Sequence, residues 1–139
     1  AIQRALDKSA MIIKGNRHID SRGSISFIND FDMSQVKRFY SIQPELGVRR
    51  AWQGHKLESK WFHVIKGRFR VKLRSLETQE LLGDYELNDA QPEVLSIPMG
   101  MYNGFESLEK GSLLLVFSDA TLEQSKSDDY RADLTDIPW

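Results

Sequence analysis

At 139 residues, with 40% hydrophobic and 28% charged residues and a formal net charge of -1, the chain has the size and balance of one folded domain. It has neither the basic surplus of a nucleic-acid binder nor the composition of a disordered segment. It contains no cysteine, which excludes disulfide frameworks, thiolate metal sites and cysteine nucleophiles and suits a reducing, cytoplasmic setting. Its longest apolar run, residues 113–117, is far below the ~20 residues that span a bilayer, and nothing near the N-terminus has the length of a signal-peptide core. No membrane association is expected.

Short β-forming runs then follow one another. Residues 11–13 open the series and stop at Gly15-Asn16; residues 24–28 come next and stop at Asn29-Asp30. A brief helical turn is expected around residues 32–35, before strands over 36–42 and 48–53 that are separated by Pro44 and closed by Gly54. Trp61-Phe62-His63-Val64-Ile65 is rich in β-formers and ends at Lys66-Gly67. Beyond it, Arg68-Phe69-Arg70-Val71-Lys72-Leu73-Arg74 alternates strictly, with apolar residues on one face and cations on the other. The two segments read as an antiparallel hairpin turning at the glycine, with the cations on a solvated outer face.

Further strands are expected over residues 81–87, 94–97 and 113–118, punctuated by Asn88-Asp89, Pro92, Pro98 with Gly100, and Gly111. A second helical turn is expected after Asp119, and residues 119–136 are polar enough for a loosely packed tail in which Asp128-Asp129 is ordinary surface acid. No stretch has amphipathic helical spacing over several turns. Many short, regularly punctuated strands mean a sandwich or a barrel.

Two segments carry chemistry: Gly47 to Gly67, which contains Arg49-Arg50-Ala51-Trp52-Gln53-Gly54-His55-Lys56, and Ile97-Pro98-Met99-Gly100-Met101-Tyr102-Asn103-Gly104-Phe105. Their layout resembles the paired motifs of the cupin superfamily, which implies an all-β, cupin-type barrel (a double-stranded β-helix, or jelly roll) and one cupin domain over residues 1–139. In metal-binding cupins these motifs supply three histidines and a glutamate. Gln53 and Asn103 stand at two of those histidine positions, and amides bind transition metals weakly, so neither a metal nor another cofactor is expected. Glu58 reads as a solvated loop carboxylate.

Within the superfamily the chain resembles the deoxysugar-nucleotide branch, which includes dTDP-4-dehydrorhamnose 3,5-epimerase and the dTDP-4-keto-6-deoxyglucose 3,4-ketoisomerases. The likeness rests on Asp20-Ser21-Arg22-Gly23, the segment from Val48 to Lys56, Lys60, the Pro98-Met99-Gly100 and Gly104-Phe105 elements, and Ile137-Pro138-Trp139, all in the family's order. The epimerase's basic histidine aligns with Gln53, and the tyrosine it places after residues 113–117 is absent, whereas His55-Lys56 matches the ketoisomerases. The resemblance implies 3,4-ketoisomerisation of a nucleotide-linked (dTDP-) 4-keto-6-deoxy sugar. The alternatives are 3- or 5-epimerisation, or binding without catalysis. It also implies a homodimer, a role in deoxysugar and polysaccharide synthesis, and no nucleic-acid partner.

The reaction needs a base near neutral pH and support for an enolate. His55 is the expected base, with Lys60 and Tyr102 as catalytic partners. Arg22, Arg49 and Arg50 are candidates for the diphosphate, where guanidinium geometry suits bidentate contact, and Gln53 and Asn103 for other substrate contacts. In an unbulged strand Arg49, Ala51, Gln53 and His55 share a face, while the family alignment favours Arg50, so both arginines stand. His18 and His63 are not expected to act.

Overall fold

Alternating burial along the strands shapes the molecule, which a computed structural model describes over residues 9–139. The strands are β1 (Met11–Lys14), β2 (Asn16–Asp20), β3 (Gly23–Phe27), β4 (Arg38–Ile42), β5 (Arg49–His55) and β6 (Lys60–Lys66). They continue with β7 (Arg68–Ser75), β8 (Leu81–Asn88), β9 (Glu93–Ile97), β10 (Met101–Ser107), β11 (Leu113–Ser118) and β12 (Tyr130–Arg131). One short helix, α1 (Leu122–Lys126), precedes β12 and is opened by a Thr121–Gln124 capping box.

Two five-stranded antiparallel sheets, ordered β1-β9-β6-β11-β4 and β12-β5-β10-β7-β8, face each other, and β2–β3 stands apart as a two-stranded hairpin. This is the cupin barrel expected from the motifs. Its core fills the space between the sheets: Phe62 and Val64 from β6, Phe69, Val71 and Leu73 from β7, Leu95 and Ile97 from β9, Phe105 from β10, and Leu114 and Val116 from β11. Phe105 meets Phe62 and Phe69 edge-on, at centroid distances of 5.8 and 6.2 Å, a favoured aromatic geometry.

The expected β6–β7 hairpin does not form. β6 pairs with β9 and β11, and β7 with β8 and β10, so the chain crosses between the sheets at Gly67. Both strands carry an inward face, apolar but for Lys60 on β6, and crossing lets those faces meet across the core rather than lie side by side. Gly67 makes the corner with φ +83°, and a Cβ there would fall 2.0 Å from Ser112 Oγ, so no other residue fits. Gly54 is likewise not a turn. It lies inside β5, where a Cβ would strike Leu76 and Tyr102 at 2.6 and 2.8 Å.

A second apolar cluster lies on the outer face of the β12-to-β8 sheet, where Trp52, Tyr102 and Ile137 are buried together. The Trp52 indole donates to the Ile137 carbonyl at 2.7 Å and stacks on Trp139, centroids 5.7 Å apart. The segment from α1 onward is therefore packed, not a loose tail. It also covers half of the cationic stripe on β7: Lys72 bonds the Trp139 carbonyl at 2.8 Å and Arg74 lies over the Trp52 ring. Only Arg68 and Arg70 keep the expected solvated positions, paired with Glu109 and Asp84. No helix forms over residues 32–35.

Candidate active site

Toward one end of the barrel the apolar core gives way to a cavity of about 830 Å³. Its walls are Tyr40 and Ile42 from β4, Arg50 and Gln53 from β5, Lys60 and Phe62 from β6, Asn103 and Phe105 from β10, and Arg131 with Asp133 and Asp136 from the C-terminal segment. The volume is within the range of small-molecule sites, and the wall mixes charged and amide side chains with the apolar Ile42, Phe62 and Phe105.

β5 positions most of this chemistry through an irregularity. Its pairing with β10 runs Arg49↔Glu106, Arg50↔Phe105 and Gly104↔Ala51, then resumes at Asn103↔Gln53, leaving Trp52 as an extra residue. A bulge of this kind reverses side-chain alternation along the strand. Arg50 therefore shares the inner face with Gln53 and His55, although simple parity assigns that place to Arg49. Arg49 borders the cavity as well, but its guanidinium pairs with Glu106 at 3.3 Å and lies over the Trp139 ring.

The same register settles Tyr102. Its neighbour Asn103 faces the cavity, so Tyr102 faces the opposite side and packs against Trp52, only 9% exposed. It does not touch the cavity, contrary to the expectation that it acts on the substrate. Arg22 is also remote from the cavity within this chain. It sits at the tip of the β2–β3 hairpin with its side chain 84% exposed and paired with Asp20 at 2.7 Å.

Below Gln53 the strand ends in His55, which is 3% exposed and lies beyond the cavity floor rather than on its wall. Its Nδ1 is 2.6 Å from the Asp128 carbonyl oxygen and 3.5 Å from Glu58 Oε1. Its Nε2 is buried without a hydrogen-bond partner. Burial, reinforced by the nearby Lys60 cation and partly opposed by the Asp128 carbonyl and the Glu58 and Asp128 carboxylates, lowers the His55 pKa from 6.5. The imidazole is thus neutral at pH 7 and able to accept a proton.

Lys60 is also 3% exposed. Burial lowers its pKa to about 8, with Glu58 opposing and Arg38 adding to the shift. Its ammonium donates to Gln53 Oε1 at 3.1 Å, while Gln53 Nε2 donates to Asp129 Oδ1 at 3.1 Å and Arg131 reaches the same oxygen at 3.0 Å. A polar chain therefore crosses the floor from Lys60 to Arg131. Glu58 is no solvated loop acid: its side chain is 1% exposed, accepts bonds from the Ser118 and Ser125 hydroxyls, both at 2.7 Å, and lies 3.7 Å from Arg38. A buried carboxylate needs such partners.

Several cavity residues escape the sequence reading, among them Tyr40, Arg131, Asp133 and Asp136. Tyr40 lies beside Lys60, whose ammonium is 6.0 Å from the ring centroid, and burial raises its phenol pKa. The alternation of Arg38, Tyr40 and Ile42 signals an inward face that carries a phenol. Arg131 offers no such signal, because β12 has only two residues and is defined by its pairing with β5. Among the described residues, no three His, Cys, Asp or Glu side chains assemble in a metal-binding arrangement, and no helix is long and apolar enough to cross a membrane.

Comparison with known proteins yields one family model, described as FdtA, WxcM-like, C-terminal, which matches residues 8–137. No curated protein matches significantly. Among solved structures, the 3,4-ketoisomerase QdtA from Thermoanaerobacterium thermosaccharolyticum, crystallised with TDP-4-keto-6-deoxyglucose, superposes with a TM-score of 0.73 at 22% identity, over 89% of this chain and 88% of that one. The dTDP-4-dehydrorhamnose 3,5-epimerase of Sulfolobus tokodaii gives 0.76 at 22% identity, over 94% and 80%. The 3'-monoepimerase ChmJ from Streptomyces bikiniensis, in complex with dTDP, gives 0.79 at 12%, over 95% and 75%. At these identities the superpositions establish a shared fold.

Proposed function

The chain belongs to the FdtA, WxcM-like family, and we propose that it is a sugar-nucleotide 3,4-ketoisomerase acting on a dTDP-linked 4-keto-6-deoxyhexose. The carrying observation is His55: a buried, neutral imidazole whose Nδ1 is engaged and whose Nε2 is free to take a proton. In the reaction His55 removes the proton from C3, the electron pair of that C–H bond forms the C3=C4 bond, and the C4 carbonyl oxygen takes up a proton to give an enediol. The C3 hydroxyl then loses its proton as the 3-ketone forms, and a proton is delivered to C4. Atoms and electrons balance without a redox partner.

Reached from the cavity past Gln53 and Lys60, His55 would act beside two groups suited to the developing oxyanion, the Lys60 ammonium and the Tyr40 hydroxyl. Charge stabilisation in a water-poor site is usually the largest catalytic contribution. Arg50 and Arg131 suit the diphosphate at the cavity mouth, with Arg49 behind them, and Asn103 and Gln53 suit the sugar hydroxyls. Arg22 could enter a site only through a second copy of the chain.

A homodimer fits the outer face of the β1-to-β4 sheet, where Phe39 is 68% exposed beside Phe117, and Phe31 packs against Phe117 and Trp61. A patch of this kind marks an interface more often than a bare surface. Light scattering is expected to give twice the chain mass, and the monomer mass would refute the dimer. The reading of one cupin domain working in the cytoplasm on deoxysugars destined for polysaccharide accompanies this proposal.

The test is NMR of dTDP-4-keto-6-deoxyglucose incubated with the protein in deuterated water. A new 3-keto sugar carrying deuterium at C4 is expected. Deuterium at C5 would favour epimerisation, and no change of signal would leave only binding.

A further inference from the structure

Asp128 holds His55 and the turn that follows it at the same time. Its side chain is buried, Oδ1 accepts the Lys56 N–H at 2.8 Å, and Oδ2 accepts the N–H groups of Leu57 and Glu58, both at 2.9 Å. Its own carbonyl oxygen meets His55 Nδ1 at 2.6 Å. A carbonyl oxygen can only accept, so Nδ1 must carry the hydrogen, and in the neutral ring Nε2 is then the nitrogen with the lone pair. That nitrogen is the one left buried without a partner.

Glu58 does not compete for this role. Its Oε1 is 3.5 Å from Nδ1, beyond a good hydrogen bond, and both its oxygens are taken by serine hydroxyls. Residues 56–58 and 128 are some seventy positions apart in the chain; the β12–β5 pairing brings Tyr130 beside Gly54, and the carboxylate clamp is the contact that ties Asp128 itself to the turn after His55.

We infer that Asp128 is a positioning residue: by clamping the turn over residues 56–58 it holds its own carbonyl on His55 Nδ1 and fixes the imidazole as the Nδ1–H tautomer with Nε2 as the proton acceptor. The inference rests on the reading of His55 as the base. The experiment separates the two, because the tautomer is read without turnover.

Nitrogen-15 NMR of uniformly labelled protein, with the His55 signals assigned by their loss in His55→Asn, is expected to show the Nδ1–H tautomer in the wild type. In Asp128→Ala the ring should become a mixture of tautomers, and kcat should fall roughly tenfold to hundredfold, as small displacements of a catalytic group do, while TDP binding stays within twofold. Asp128→Asn, which replaces one acceptor oxygen by a donor, should show a smaller shift in the same direction and carries the test if the alanine variant does not fold. An Nε2–H tautomer in the wild type would overturn the inference, as would an unchanged tautomer in the folded variants. If the tautomer shifts as expected but no form of the protein turns over the keto-sugar, the positioning stands and the ketoisomerase reading falls.

Discussion

The two ends of the cavity are built on opposite terms. At the floor, His55, Glu58 and Lys60 are each 3% exposed and bound to one another's neighbours, so charge there is costly and every group is held in place. At the mouth, Arg50 is exposed and forms no ion pair among the described residues, free to meet a ligand that brings its own charge. Burial tunes acidity only where water is excluded, and an anion is captured fastest where cations remain hydrated and accessible. On the proposed reading, the difference separates proton transfer from ligand capture along one strand.

That separation breaks most visibly at His55. His55→Asn should lower turnover by at least about a hundredfold, the lower end of what a general base contributes, while TDP binding measured by calorimetry remains near wild type. A parallel loss of binding would mean that floor and mouth are not distinct.

Acidity gives the next effect. His55 must be neutral to act, and its lowered pKa keeps activity up as pH falls to below 6.5, whereas Lys60 must be charged to support an oxyanion and loses its proton as pH rises through about 8. The kcat profile should therefore be a bell whose alkaline limb lies near pH 8, and Lys60→Arg should move that limb upward, because guanidinium does not deprotonate in this range. An alkaline limb unchanged in Lys60→Arg would remove Lys60 from the chemistry.

The mouth should show a smaller change of the opposite kind. Arg50→Ala is expected to weaken TDP binding by roughly tenfold, the scale of one charge-assisted hydrogen bond, with KM raised and kcat nearly unchanged. Arg49→Ala should do less, since Arg49 is already engaged by Glu106. Smallest of all, Trp139→Ala should lower stability by about 1–2 kcal/mol through loss of the Trp52 stack and the cations above it, seen as a lower Tm with kcat preserved.

Much of the barrel was legible because strict alternation on β7 and ordered turn residues are local signals. The hidden features all depend on distant partners. The β6–β7 pair reads as a hairpin until it is known that β9 and β11 claim one strand and β8 and β10 the other. β2 and β10 were missed because their runs, Asn16-Arg17-His18 and Asn103-Gly104, lack β-formers. In the site, motif order brought Gln53, His55, Lys60 and Asn103 to notice. It could not report the residue inserted at Trp52, which turns Arg50 inward, nor the pairing of β10 that turns Tyr102 outward. Asp128 looked like surface acid because the three N–H groups it binds come from a turn far away in the chain.

The insertion at Trp52 also bears on how such a barrel can change. Upstream and downstream of that residue the strand runs in different phase, so on the proposed reading replacements around Arg49 and Arg50 would alter the grip on the diphosphate, and replacements around Gln53 and His55 the sugar's seat and the proton transfer. If the proposed roles hold, one scaffold has two dials on a single strand, and variants that adopt a new sugar or a new nucleotide would arise by turning one without disturbing the other.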